Sequence, residues 1–203
     1  MSSASPARRP VAAFDFDGTI ARRDTLMPFL ASVAGRVPFA RAALGRAHRI
    51  AGVAAGRGDR DAEKEALVGR LLAGRAAADV AAAGTAYADR LWAGQRFRPE
   101  MLARLAWHRA EGHRIVIVSA SLDSYLVPLA PRLGVDHVIS CSLAAQDGVL
   151  TGLLVGGNVR GPEKVHRLQS WLDGESVELW AYGDSSGDDE LLALADHPTR
   201  VKR

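Results

Sequence analysis

Residues 114–121 read RIVIVSAS, and Ile115 to Val118 form an unbroken β-branched run between two segments of helical pattern. A strand with one face in water alternates apolar and polar residues; a run without alternation is buried on both faces, as in a parallel sheet covered by helices. The apolar run at 11–14 and VELWAYG (177–183) have the same character, and DHVISC (136–141) is a further short strand. Between them, RPEMLARLAWHRAEGH (98–113) reads as a helix opened by Pro99 and closed by Gly112, while GPEKVHRLQSWL (161–172) and DDELLALA (188–195) read as two more. Ser121 is placed to cap the helix LDSYLVPLAPRLG (122–134), which Pro128 and Pro131 are expected to bend or end early. Alternating strands and helices define an α/β chain with a Rossmann-like, doubly wound parallel sheet.

From Asp24 to about Gln95 no strand pattern occurs. Apolar residues recur at helical spacing, with breaks at 35–38, 55–61 and Gly74, so about four helices interrupt the α/β chain. Asp147-Gly148 between two strand-like runs predicts a hairpin.

With 203 residues, 48% of them apolar and 24% charged, the chain can bury a full core. Cys141 is the only cysteine, which excludes internal disulfides and CxxC sites and fits a reducing cytoplasm. Residues 1–7 read as a disordered leader, since Asp15 and Asp17 interrupt any apolar region of signal-peptide length. The apolar stretch at 25–44 is broken by Arg36, Pro38 and Arg41, a poor membrane span.

In doubly wound sheets ligands bind outside the carboxyl ends of the strands. Asp15, Ser119 and Asp184 each fall where an apolar strand ends, so three distant segments converge on one edge. Asp15 and Asp17, joined by Asp184 and Asp188, make a carboxylate cluster that cannot fully ionise without a cation. Magnesium suits it, because Mg2+ takes a few carboxylates plus waters and phosphate oxygens, whereas the six scattered histidines offer no zinc spacing. Ser119 with the backbone amides from Ala120 onward would hold a phosphate, and Lys164 near its helix start would be a second clamp; by spacing alone Lys64 or Lys202 would also serve. These are the parts of a phosphoryl-transfer site.

The order Asp15-Phe16-Asp17-Gly18-Thr19, then Ser119 after a hydrophobic strand, then Lys164, then Gly183-Asp184 with Asp188 four further on, resembles the four motifs of the haloacid dehalogenase superfamily, across nearly the whole chain. The helical insert resembles the C1-type cap of its phosphoserine phosphatase branch, as does the hairpin. That resemblance implies a discontinuous catalytic core at 8–22 and 97–203, a helical cap at 23–96, and a covalent aspartyl phosphate. It further implies Asp15 as nucleophile, Asp17 as general acid and base, and magnesium held by Asp15, the backbone carbonyl of Asp17 and Asp184. Ser119, Ala120 and Lys164 would bind the phosphoryl oxygens, with Asp188 supporting the metal or Lys164. Thr19 would order the loop, contact phosphate, or simply form the turn. Asp24 stands where phosphoserine phosphatases carry a glutamate that contacts the substrate, and helix capping is its alternative reading.

Two features depart from those enzymes: Ser-Ala-Ser at 119–121 replaces Ser-Gly-Gly, and Gly187 stands where asparagine is common. Arg57, Arg60 and Arg70 are all candidates for a cap arginine. The expected substrate is a small phosphorylated metabolite; a lipid phosphate such as phosphatidylglycerophosphate, or transfer to an alcohol, are alternatives. Between Arg22 and Arg60, eight arginines face only Asp24 and Asp59, a charge suited to anions. That charge also fits contact with a membrane surface or a non-catalytic anion- or RNA-binding module, although no nucleic-acid partner is expected beside intact Asp15 and Asp17. The apolar residues Met27, Phe29, Leu30 and Phe39 would line a pocket for the leaving group or form the core of the helical insert.

Overall fold

A computed structural model describes residues 8–47, 51–52 and 58–202, so the leader at 1–7, Arg57, and the side chain of Arg60 lie outside the described residues. β1 (Arg9–Phe14), β2 (Arg114–Leu122), β3 (His137–Cys141), β6 (Val177–Gly183) and β7 (His197–Arg200) form one sheet in the order β3-β2-β1-β6-β7. Every neighbouring pair is parallel. β1 and β2 are buried through almost their whole lengths and β7 is exposed throughout, as expected of central and edge positions. β2 and β6 lie on either side of β1, so the strand order reverses there and opens a crevice at the carboxyl ends.

Four described helices separate β1 from α5 (Pro99–Ala110): α1 (Leu26–Ala34), α2 (Arg36–Leu44), α3 (Arg60–Leu72) and α4 (Ala77–Ala93). The chain leaves and re-enters the sheet layer side by side, because Arg22 N donates to Arg96 O at 2.9 Å and Arg98 N to Ile20 O at 2.9 Å. The other helices are α6 (Asp123–Leu133), α7 (Pro162–Leu172) and α8 (Asp189–Leu194).

The hairpin forms where Asp147-Gly148 predicts it, as β4 (Leu143–Gln146) and β5 (Val149–Leu154), with positive φ at both turn residues (51° and 78°). It packs outside the main sheet, on α3. A Cβ at Gly69 would lie 2.9 Å from Gly152 O, so two glycines let helix and strand backbones touch.

Two local expectations change. β2 continues to Leu122, with its pairing to β3 shifted between Val118 and Leu122, so α6 begins only at Asp123 and takes no side-chain cap from Ser121. Pro128 and Pro131 lie inside α6, which runs on to a left-handed Gly134 (φ 69°). A proline at 128 removes the amide that would bond the Ser124 carbonyl. Gly84 of α4 packs against that same carbonyl, where a Cβ would overlap it. Tertiary contact thus covers the turn that the proline opens.

Candidate active site

Phe14, the last residue of β1, stacks on Tyr182 of β6 (centroids 4.3 Å apart, planes 8° apart) and meets His108 of α5 edge-on at 5.8 Å. The buried platform fixes the strand end, and Asp15 N donates to Tyr182 O at 2.8 Å. Asp15 therefore starts the loop that enters the crevice.

Lys164 Nζ, in the first turn of α7, is buried and donates to Asp15 Oδ1 and Asp188 Oδ1, both at 2.6 Å. Burial alone would lower its pKa; the two carboxylates outweigh that and hold it above its usual value. Burial raises Asp15 to about 6 against the pull of Lys164, with Asp188 adding to the rise. For Asp188, burial is outweighed by Lys164 and by the Ser185 bonds, and its pKa falls below the ordinary range. Its other oxygen accepts from the Asp184 amide (3.2 Å), the Ser185 amide (3.0 Å) and Ser185 Oγ (2.9 Å).

Asp17 is gripped on both oxygens. Oδ1 accepts from the Thr25 amide (2.9 Å) and hydroxyl (2.6 Å), and Oδ2 from Ser121 Oγ (2.5 Å). Burial, with the charge of Asp24 added, raises its pKa to about 7 despite these donors. Thr25 is held in turn by Tyr125 OH, 3.1 Å from its hydroxyl, and by Tyr87 OH, which donates to its carbonyl at 2.9 Å. Phe29, Tyr87 and Tyr125 form an aromatic cluster with centroids 5.0–5.4 Å apart that joins α1, α4 and α6 beneath this contact.

Asp15, Asp184 and Asp188 offer carboxylate oxygens that lie within 4.8 Å of one another. All-oxygen donors at this spacing fit a hard divalent cation. Both oxygens of Asp188 already serve Lys164 and the 184–185 turn, whereas Lys164 engages only Oδ1 of Asp15. Gly18, with φ 83°, passes so close to Asp184 that any Cβ would overlap its carboxylate.

The crevice is a cavity of about 1050 Å3 lined by Asp15, Asp17, Asp24, Ser119, Ala120, Lys164, Asp184 and Asp188. Ser119 is buried there and its Oγ accepts from the Ser121 amide at 3.2 Å. It sits in the irregular stretch at the end of β2, four residues before α6 starts. Asp24 both lines the cavity and accepts from Met27 N at 3.1 Å at the start of α1. Thr19 is wholly buried outside the cavity lining, and its amide bonds Phe16 O at 3.3 Å, as a turn-forming residue does.

Among the residues that spacing left open, Lys202 is exposed away from the cavity and Arg70 is exposed outside its lining. Lys64 lines it, but donates to Ala120 O and Asn158 Oδ1 and lies 3.4 Å from Cys141 Sγ. Phe29 and Leu30 are fully buried core, and only Met27 of the four apolar candidates reaches the cavity. Sequence reasoning missed Thr25, Tyr87, Tyr125, Arg98 and Arg160 and gave Ser121 a different role. Ser121 alone carried a local signal, its two-residue offset from Ser119.

A parallel α/β sheet with acids just past the ends of β1 and β6, a serine near the end of β2 and a lysine bridging Asp15 and Asp188 defines a phosphoryl-group hydrolase. Residues 12–193 match the family of haloacid dehalogenase-like hydrolases, and the chain belongs to that family. It is 38% identical over 188 residues to protein CicA of Caulobacter vibrioides, covering 91% of this chain and 82% of CicA. It is 29% identical over 132 residues to phosphoserine phosphatase SerB1 of Mycobacterium tuberculosis, covering 61% of this chain and 41% of SerB1. A protein of unknown function from Bordetella pertussis Tohama I has the same fold, with a TM-score of 0.78 at 24% identity over 96% of this chain and 90% of that one. The chain is a phosphatase of the phosphoserine phosphatase-like kind, which displaces the reading of a non-catalytic binding module. Among the described residues no helix is long and apolar enough to cross a membrane.

Proposed function

We propose that this phosphatase is a magnesium-dependent phosphomonoester hydrolase working through an aspartyl phosphate on Asp15, with residues 23–96 as a cap over a core of 8–22 and 97–203. The observation that carries the reading is Lys164 bridging Asp15 and Asp188 at 2.6 Å with Asp184 beside them. An ammonium buried against a carboxylate neutralises the charge that would otherwise repel an incoming phosphate, while the aspartate keeps an oxygen for attack.

Asp15, Asp184 and the Asp17 carbonyl would hold Mg2+, which supplies charge neutralisation at the phosphoryl oxygens. Ser119 and the amides near Ala120 orient the phosphoryl group opposite Lys164. An Asp15 oxygen attacks phosphorus, the ester P–O bond breaks, and Asp17, whose pKa near 7 lets it hold a proton close to neutrality, protonates the leaving alkoxide. Asp17 then takes a proton from water as that water attacks phosphorus, and the acyl phosphate P–O bond breaks to release phosphate and regenerate Asp15. The helices above the cavity exclude bulk water during transfer.

The cavity favours a small phosphorylated metabolite, since Leu26, Met27 and Leu67 are a limited apolar patch among charged walls. Phosphate release from p-nitrophenyl phosphate and a panel of phosphomonoesters, with magnesium and with EDTA, tests the reading. Turnover that needs magnesium and disappears in Asp15→Asn, together with acid-stable label trapped on the wild-type protein from phosphorus-labelled substrate, is the expected result. Turnover that survives Asp15→Asn overturns it, and added glycerol reads transfer to an alcohol.

A further inference from the structure

Arg160, on the loop before α7, lies across the turn at 184–188. A Cβ on Gly187 would sit 2.9 Å from Arg160 Nε and 3.0 Å from its Cγ, so the arginine occupies the space a side chain at 187 would take. Gly187 is not among the glycines with positive φ, so backbone conformation does not call for glycine there; the close approach of Arg160 does. Where phosphoserine phosphatases commonly carry asparagine, this chain has a glycine and an arginine lying over it. The pair is braced: Gly161 N donates to Gly187 O at 2.9 Å and Arg160 Nη2 to Ser186 Oγ at 3.2 Å. Both residues line the cavity, and Arg160 is half-buried.

Four other cations of the cavity, Lys164, Arg46, Arg98 and Lys64, are committed elsewhere. Lys164 is held by Asp15 and Asp188, and Arg46 by Glu63 at 2.6 Å. Arg98 bonds the Gly18 carbonyl at 3.0 Å and Glu100 at 3.3 Å. The three ammonium protons of Lys64 face Ala120 O, Asn158 Oδ1 and Cys141 Sγ. Arg22 and Arg23 are exposed on the rim. Among the described residues Arg160 makes no ion pair, and Ser186 takes one of the five donors of its planar fork.

We propose that Arg160 binds a second anionic group on the alcohol portion of the substrate, so that the preferred substrates are phosphomonoesters whose leaving alcohol carries a carboxylate or another phosphate. This rests on the phosphatase reading above. The transferred phosphoryl group already has Lys164 and Ser119, whereas Arg160 is fastened to none of the partners of Asp15 and presents a fork shaped for a carboxylate or phosphate.

The test compares matched substrates: phosphoglycolate against ethyl phosphate for a carboxylate, and ethylene glycol bisphosphate against hydroxyethyl phosphate for a second phosphate. In wild type the ratio of kcat/KM within at least one pair is expected to favour the doubly acidic member by about tenfold to a hundredfold, and the pair that responds names the anion. Arg160→Gln is expected to lower that ratio about tenfold, and Gly187→Asn to lower it likewise by displacing the guanidinium. A ratio the same in Arg160→Gln as in wild type, or both members of a pair falling together, overturns the proposal. Titration calorimetry of the same pairs on Asp15→Asn in magnesium buffer reads the ratio without turnover. Failure of all the esters to be hydrolysed thus counts against the phosphatase mechanism, while the binding ratio still decides the role of Arg160.

Discussion

Thr25 donates both its amide (2.9 Å) and its hydroxyl (2.6 Å) to one oxygen of Asp17, while Tyr125 and Tyr87 hold Thr25 from behind. Asp17, the proposed general acid and base, is therefore positioned through Thr25 by an aromatic cluster of the neighbouring helices. Replacing Thr25 with Val keeps the shape, removes the hydroxyl and leaves the buried Tyr125 OH short of a partner. Thr25→Val is expected to lower kcat about tenfold to a hundredfold with a smaller change in KM, at a stability cost of about 1–3 kcal/mol. Thr25→Ser should recover most of both. Steady-state kinetics and urea unfolding of the two variants make the check, and equal losses of kcat in Val and Ser would refute the positioning role.

Lys164 neutralises two buried carboxylates. Lys164→Met should remove activity and destabilise the fold by about 3–5 kcal/mol, because Asp15 and Asp188 would be left without their counter-charge. The loss should shrink as pH falls and the carboxylates protonate. Urea midpoints across an acid-to-neutral series read this directly, and a loss independent of pH would mean that packing, not charge, is what Lys164 supplies.

Cation binding to the folded state alone raises stability by RT ln(1 + [L]/Kd), about 2.7 kcal/mol at a hundredfold excess over Kd. Magnesium should therefore raise the melting temperature of the wild type, with EDTA reversing the rise. Asp184→Asn should abolish most of it. Differential scanning calorimetry with calcium and zinc as comparisons checks the preference expected of a carboxylate site.

His108 is buried between Phe14, Tyr182 and His113, with Nε2 2.9 Å from Tyr182 OH. Burial, with the nearby His113 charge, depresses its pKa from 6.5 to about 4. The unfolded chain thus binds a proton that the folded chain refuses between about pH 4 and 6.5, so stability rises with pH across that window and is lost on acidification. At about 1.4 kcal/mol per unit the contribution reaches about 3 kcal/mol. Asp15 and Asp17, raised by burial, act in the opposite direction, so the difference between wild type and His108→Gln isolates the histidine. Urea unfolding from pH 4 to 7.5 should show a shallower acid loss in the variant.

Much of this protein is legible without coordinates. An apolar run such as Ile115–Val118 has one economical environment, a sheet covered on both faces, and glycine at the second turn position tolerates the positive φ that the Asp147-Gly148 hairpin needs. Strand ends then put Asp15, Ser119 and Asp184 on one edge, because parallel strands present their carboxyl ends together. Local pattern misjudged the stretch at 119–131. Whether Ser121 caps a helix or bonds Asp17, and whether Pro128 ends a helix or is tolerated inside it, depends on which distant residue lies opposite. The same limit hid Thr25, Tyr87 and Tyr125, which read as ordinary helix and core residues until packing sets the Thr25 hydroxyl on Asp17 and the two tyrosine hydroxyls on Thr25. Sequence alone determined four of the five strands of the parallel sheet, the order of the four motifs and the chemistry their side chains permit, since these follow from backbone preference and from the charge of individual residues, whereas the exposed edge strand β7 carries no apolar run to mark it. Tertiary structure alone decided which donors hold Asp17, that Lys164 rather than Lys64 bridges the acids, and that Gly187 yields its space to Arg160. Those are distances between residues far apart in the chain, and no short window of sequence contains them.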